Sequence, residues 1–301
     1  MTRTKLNDEH WHKLFIILRQ INVYNKPNLR RTVEGMLYRI RVGCPWRDLP
    51  SYFGHWSRIY HQYRYWRKTG KWQKLMKIVT ANYDSEWLFI DGSVVKAHQH
   101  SSGVASHLDE AIGKSVAGNS SKLHLVVDAC GNPIHIELTG GQVHDAKMAK
   151  TLIDSTINNQ TKAVIADRGY DSSDIRECIF KHCTESVIPV KSNSKNSNND
   201  TLDWYLYRCR HLVENAFARL KHFRGIATRY DKLKDSYAAA VILLVSLSGC
   251  HSFEFYTHPS EVLFFFQSLS KLRVGYDIGN KQHTVCHTDV FHTFWNIQHI
   301  F

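Results

Sequence analysis

Two acidic residues far apart in the sequence stand where carboxylates could act together. Asp91 and Asp167 each follow a short apolar run, at residues 87–90 and 163–166. Such runs predict buried strands, and functional side chains commonly gather where strands end. Either acid alone could equally belong to a turn or a surface ion pair. Together they favour a metal site, because hard cations prefer oxygen ligands.

A third acid, Glu214, belongs to a polar stripe in a segment with helical periodicity. Tyr207, Arg210, Glu214 and Lys221 stand at offsets of 0, 3, 7 and 14. At about 100° per residue, all four fall within an arc of roughly 60° on one helix face. Arg210 and Glu214 alone could be an ordinary helical ion pair. That interpretation does not account for the other two residues, so the stripe predicts a site that borders the buried face.

The positive charge of the chain is concentrated at its N-terminal end. The net charge is +12, and residues 1–85 hold 17 Lys and Arg against 5 Asp and Glu, whereas the remainder holds 22 of each. A basic segment attached to a neutral one is typical of an enzyme with a polyanion-binding module, although a merely solvated basic face is the alternative.

The sequence argues against a membrane or exported protein and against a fold held by disulfides or zinc. The most apolar run, residues 238–247, is far shorter than the roughly 20 residues that cross a bilayer, and the N-terminus lacks a signal peptide. The seven cysteines include no CxxC pair, which argues against a disulfide framework or a zinc knuckle. A cytoplasmic protein without membrane partners is expected.

The basic segment has helical periodicity, and its last helix could present side chains to DNA. Residues 46–53 are followed by Gly54, by Ser57 as a helix cap, and by Ile59, Tyr63 and Trp66 at helical spacing. A helix-turn-helix is predicted, with a plain helical bundle as the alternative. The side chains left on the outer face of this helix are Arg58, His61, Gln62, Arg67 and Lys68.

From residue 87 onward the pattern changes to strands. Three strands, two of them joined by a turn at residues 131–133, precede alternating helices and strands and then a long helix that contains residues 207–221. This order predicts an α/β fold, a mixed sheet flanked by helices, which matches the ribonuclease H-like architecture. Within it, Asp128 is interpreted as a turn acid, and His144 with Asp145 as the start of a helix.

The stripe resembles a known signature. Tyr-x2-Arg-x3-Glu-x6-Lys at residues 207–221 is similar to the motif around the catalytic glutamate of DDE transposases from bacterial insertion sequences. The segments 88–93, 164–171 and 141–145 resemble the regions of the two catalytic aspartates and the stretch between them. Residues 43–50 and 53–57 resemble the DNA-binding part of the family-five group, in the four-like superfamily. The resemblance covers about residues 5–247.

The resemblance implies specific roles for these residues. Asp91, Asp167 and Glu214 would hold two Mg²⁺ ions, with Mn²⁺ as a substitute, and Tyr207, Arg210 and Lys221 would contact DNA near the scissile bond. The implied activity is cleavage at the terminal inverted repeats of an element and strand transfer into target DNA. A homo-oligomer assembled on DNA and a bacterial, nucleoid-associated location follow. A transposase-derived DNA-binding regulator and a nuclease that never joins DNA remain the alternatives.

The domain organisation follows the same boundaries. Residues 1–84 are predicted to form a helical DNA-binding domain, 85–250 the catalytic domain, and 251–301 an aromatic-rich extension that family members usually lack. The extension is either translation past a lost stop codon or a packed addition, and an exposed aromatic tail would favour aggregation and an inactive copy. The histidines at 98, 100 and 107 lack convincing metal-ligand spacing.

Overall fold

The longest strand of the protein, β1 (Trp87–Ala97), runs through the centre of a mixed sheet. The computed structural model describes residues 6–101, 110–116, 118–191, 199–200 and 202–248. Within this part of the chain six further strands complete a seven-stranded sheet: β2 (Gly113–Ser115), β3 (Gly118–Val127), β4 (Pro133–Gly140), β5 (Ala163–Ala166), β6 (Glu185–Val187) and β7 (Thr228–Arg229).

The sheet combines an antiparallel half with a parallel half. β3 pairs antiparallel with β1, β2 and β4, whereas β5 lies parallel to β1, and β6 lies parallel to β5. The short β7 also pairs parallel with β1. A mixed α/β architecture, as the strand and helix order predicted, is therefore confirmed.

The strand that carries Asp91 does not end there, so the prediction that this acid stands at a strand exit is wrong. β1 continues to Ala97 because β3 pairs with it from Asp91 opposite Leu125 to Lys96 opposite Ser120. Hydrophobicity falls after Ile90, but backbone hydrogen bonding does not depend on side-chain polarity. Residues 186–190 have the composition of a further strand, and the structure has a shorter one there, Glu185–Val187. The brief β2 and β7 were not predicted because two or three residues carry no periodicity.

Helices flank both faces of the sheet. On one face, α5 (Asp145–Thr156) and α6 (Ser173–Lys181) pack on a core that contains Leu88 and Ile90. Side chains alternate along a strand, so Asp91 and Ser93 point to the opposite face. That face is contacted by α8 (His211–Lys221).

The long helix predicted to contain residues 207–221 is broken into two within that range. α7 (Trp204–Arg208), α8 and α9 (Arg224–Ala227) follow one another. Between α7 and α8, the amide of Arg210 donates to the carbonyl of Tyr207, and that of Leu212 donates to Cys209. These contacts span three residues, which tightens the turn and separates Tyr207 from the helix that carries Glu214.

Four helices occupy the basic N-terminal segment: α1 (Asp8–Gln20), α2 (Leu29–Val42), α3 (Trp56–Lys68) and α4 (Lys71–Val79). Trp66 of α3 meets Trp72 of α4 edge to face at 5.0 Å, and both are buried. The predicted Ser57 cap is wrong: α3 begins one residue earlier, and its cap is His55, whose ring accepts from the Ser57 amide.

Buried polar contacts join these helices to the last helix, α10 (Lys234–Ser248). Arg39 of α2 forms a two-pronged ion pair with Asp231, at 2.9 and 3.0 Å, just before α10. The Tyr63 hydroxyl donates to the Ser236 carbonyl. All described residues accordingly belong to one compact unit. None of their helices has the length and apolar character needed to span a membrane.

Some predictions fall outside the described residues. These are the C-terminal extension at 251–301, most of the Ser- and Asn-rich loop at 192–200, and His107.

Candidate active site

The two aspartates are neighbours because their strands run in parallel and in register. Ile90 of β1 pairs with Ala166 of β5, so the residues one step further, Asp91 and Asp167, lie side by side. β5 ends at Ala166, and the Asp167 side chain then accepts a hydrogen bond from the Gly169 amide at 2.9 Å. The register of two strands thus joins acids that are 76 positions apart in the chain.

Arg210 brings the third acid to this pair. Its guanidinium donates to Asp91 Oδ2 at 3.0 Å and also to Glu214 Oε1. The Asp91 and Glu214 charges, and the more distant Asp167 charge, raise the pKa of Arg210, although burial opposes them. One guanidinium therefore lies within the field of all three acids.

Lys221, at the end of α8, contacts the same face of β1 two residues beyond Asp91. Its ammonium donates to Ser93 Oγ at 2.7 Å and to the Val94 carbonyl at 3.0 Å. Burial lowers the pKa of Lys221. The contact with Ser93, two residues beyond Asp91, sets a second cation beside the acids.

The acids are held in an electrostatically unfavourable arrangement. Burial, together with the neighbouring Asp167 and Asp145 charges, raises the pKa of Asp91 to about 6, although the Gly92 amide and Arg210 act in the opposite direction. Burying a carboxylate among like charges costs free energy that a bound cation can offset. Such a cluster is suited to cation binding.

Comparison with protein families identifies the family of this chain. Residues 82–248, more than half of the chain, match the family model "Transposase DDE domain". The chain belongs to the DDE transposases of bacterial insertion sequences. It is a DNA transposase, an enzyme, as the stripe at residues 207–221 predicted. Residues 6–76 match a second model, "Putative transposase of IS4/5 family".

Individual relatives carry the same names. The chain is 34% identical over 128 residues to the "Putative transposase for insertion sequence element IS6501" of Brucella ovis, covering 42% of this chain and 96% of that one. It is 32% identical over 128 residues to that for IS402 of Burkholderia cepacia, covering 40% and 57%. A cryo-EM structure of the piggyBac transposase synaptic complex with hairpin DNA aligns at a TM-score of 0.40 and 9% identity, covering 95% of this chain and 80% of that one. A likeness this weak does not bear on the fold.

The described residues fit the divalent metal ions that DDE transposases use, although not as one ready cage. The ligand atoms of Asp91, Asp167 and Glu214 do not all lie within 4.8 Å of one another. Among the described residues, Asp154, Cys178 and His182 have ligand atoms that close together. In the transposase site, Arg210 bridges Asp91 and Glu214, so one positive charge already offsets part of the negative charge of the two acids that metal ions would share.

Tyr207 occupies a different place from the one predicted. It lies on α7, and its ring meets Trp204 edge to face at 5.7 Å. The Arg210 amide donates to the Tyr207 carbonyl, so Tyr207 remains near the stripe although it no longer shares a helix with Glu214. Contact between Tyr207 and DNA stays a prediction.

Two residues near the acids were not assigned to the site from sequence. α5 begins at Asp145 with His144 at the cap position, as predicted, and the Asp145 carboxylate also binds Lys122 at 3.1 Å. Tyr170 is buried, and the charges of Asp145, Asp91 and Asp167 raise the pKa of its hydroxyl further than burial alone does. The signal for both was their position within the segments 141–145 and 164–171 that resemble the family.

The five side chains predicted to face DNA from α3 differ in their exposure to solvent. Arg58, His61 and Lys68 are exposed, and Gln62 is half-buried. Arg67 is also half-buried, and it donates to Ser236 Oγ at 2.7 Å. Asp128, in contrast, is the turn acid that was predicted, since it accepts hydrogen bonds from the Cys130 and Asn132 amides.

The raised pKa of Asp91 predicts a pH-dependent stability of the metal-free protein. A carboxyl group with a pKa of about 6 in the folded state, against about 3.9 when unfolded, stabilises the fold below pH 4 and loses that contribution as pH rises through 6. Asp91→Asn should therefore be more stable than the wild type at pH 7.5 in EDTA, but not at pH 4. Urea unfolding at both pH values measures this, and equal differences at the two would contradict it.

Proposed function

We propose that this transposase cleaves DNA at the terminal inverted repeats of its element and transfers the freed 3' ends to target DNA. Asp91, Asp167 and Glu214 hold two Mg²⁺ ions in this proposal, and Mn²⁺ can replace them. The observation that carries it is the position of Arg210, which binds two of the acids while strand register sets the third beside them. The Arg210 guanidinium lies among the three acids, and its position supports the view that this part of the site favours positive charge.

The proposed chemistry divides between ions and side chains. When bound, the ions would activate the attacking oxygen and stabilise the leaving one, with water attacking in cleavage and a DNA 3'-hydroxyl in strand transfer. Arg210 and Lys221 are placed to bind phosphates next to the scissile bond, because they lie beside the acids on one face of β1. Tyr207 would hydrogen-bond or stack there.

The remaining parts of the chain would select the DNA. Residues 1–84 would form the domain that binds the element ends, with Arg58, His61, Gln62, Arg67 and Lys68 of α3 facing DNA. Residues 85–250 would form the catalytic domain, and four antiparallel strands followed by parallel ones support a ribonuclease H-like architecture. Assembly on two element ends would make a homo-oligomer, associated with the nucleoid while bound.

Incubation with DNA tests this proposal directly. Duplexes that end in the element's terminal repeats, with a target plasmid and Mg²⁺, should yield nicked and then joined products. Asp167→Ala should yield neither but should still bind the duplex. Equal products from both proteins would contradict the catalytic role of the acids. Nicked products that are never joined would identify a nuclease, and duplex binding without Mg²⁺-dependent products would identify a regulator.

Lys221 offers a narrower test of phosphate binding. Lys221→Met should lower the affinity for end DNA and reduce the slope of log affinity against log salt by about one, because one phosphate contact is lost. Lys162→Met is the matched control, since Lys162 is an exposed lysine that pairs with Glu86 before β5 begins, at the opposite end of that strand from Asp167. Fluorescence anisotropy at several salt concentrations measures both, and identical slopes for the two variants would refute the contact.

A further inference from the structure

Asp145, at the first position of α5, is tied to the sheet behind the three acids. Its Oδ2 pairs with the Lys122 ammonium at 3.1 Å, and its Oδ1 lies 3.5 Å from Nδ1 of His124. Lys122 and His124 alternate with Leu123 along β3, so both point to the face covered by α5 and α6. Asp145 therefore approaches the site from the face opposite α8.

The contact with Gly92 sets Asp145 directly behind Asp91. A Cβ atom at position 92 would lie 2.1 Å from Asp145 Oδ1, a distance that no side chain could accept. The carboxylate thus packs against the backbone of the residue that follows Asp91. His124 stands opposite Gly92 in the strand register, and its Nδ1 would lie 3.1 Å from the same Cβ. Gly92 is required here for space.

Three buried polar atoms around this contact have no hydrogen-bond partner among the residues that the structure describes. They are Asp145 Oδ1, His124 Nδ1 and the Tyr170 hydroxyl. Tyr170 is 1% exposed and follows Asp167 by three residues, so this group of atoms reaches the second acid as well as the first. Buried polar groups without protein partners commonly mark a place for an ordered ligand such as water.

We propose that Asp145 is a positioning residue of the metal site, a fourth carboxylate that holds the Asp91–Gly92 backbone from the rear of the sheet and adds negative charge that favours divalent cations. Lys122 fixes its orientation, and Gly92 leaves the space that it occupies. The proposal rests on the three acids binding metal. Asp145 acts through Asp91, and groups of this kind typically change metal affinity without being ligands.

Mn²⁺ binding to the full-length protein without DNA, followed by electron paramagnetic resonance, tests the role. Asp145→Asn keeps the side-chain shape and should weaken Mn²⁺ affinity about tenfold, within the usual range for partners of metal ligands. Asp174→Asn is the matched control, because Asp174 also lies in the first turn of a helix but is exposed. Its affinity should stay within about twofold of wild type, since exposed charges are well screened.

Gly92→Ala provides a second variant that leaves Asp145 in the chain. It should weaken Mn²⁺ binding in the wild type by displacing the carboxylate, and it should have a smaller effect when Asp145 is already alanine. Wild-type affinity in Asp145→Asn, together with weakened binding in Asp91→Asn, would overturn this inference and leave the metal site standing. Unchanged binding in Asp91→Asn would overturn both.

Discussion

Replacing Glu214 with glutamine is expected to reduce cleavage of element-end DNA by at least about a thousandfold, because a metal site contributes several kcal/mol to transition-state stabilisation and each 1.36 kcal/mol is tenfold in rate. Glutamine preserves the size of the side chain, so α8 should still pack on β1 through Val213 and Phe217. Single-turnover cleavage measures the rate, and gel shift should show that binding to end DNA is retained.

The control for this variant is another acid in the same local setting. Glu177 pairs with Lys181 four residues later on α6, whereas Glu214 pairs with Arg210 four residues earlier, and the Glu177 side chain is 65% exposed. Glu177→Gln should cleave at the wild-type rate, since exposed pairs of this kind contribute only a few tenths of a kcal/mol. Comparable rates for the two variants would show that Glu214 is an ordinary helical ion-pair partner and not part of a catalytic site.

Replacing Arg39 with methionine is expected to lower the free energy of unfolding by about 3–5 kcal/mol, because it leaves the Asp231 carboxylate buried without its partner. Both side chains of this pair are only 9% exposed, and the guanidinium also lies 4.6 Å from the Trp46 ring. The pair ties α2 to the segment that leads into α10. Urea denaturation at pH 7.5 measures the change.

Two companions make the Arg39 experiment specific. Asp8→Asn breaks the Arg30–Asp8 pair, in which the Asp8 side chain is 93% exposed, and should cost under about 1 kcal/mol. Arg39→Met combined with Asp231→Leu removes both charges and should recover much of the loss, since an apolar pair can replace a buried ion pair. A double variant no more stable than Arg39→Met would mean that the charge left on Asp231 is not the cause.

The catalytic domain was predictable as far as local patterns reach. Asp91 and Asp167 follow apolar runs that form adjacent strands in the structure. A short buried strand can be predicted from its apolar composition alone. Boundaries were less predictable: β1 continues through polar residues because β3 continues beside it, and the helix predicted to contain residues 207–221 breaks at a turn near Cys209. Both outcomes depend on backbone hydrogen bonds that side-chain type does not encode.

The sequence by itself determined the class of the protein and the residues most suited to its chemistry. Residues four apart in a helix lie on the same side, which is local geometry. Arg210 and Glu214 could therefore be predicted to interact before the fold was known, and the Arg210 guanidinium does donate to Glu214. Only the tertiary structure decided what surrounds them. Strand register set Asp167 beside Asp91, and a missing Cβ at Gly92 let Asp145 approach from the other face. Contacts of this kind join residues distant in sequence, and they form only when the core has packed.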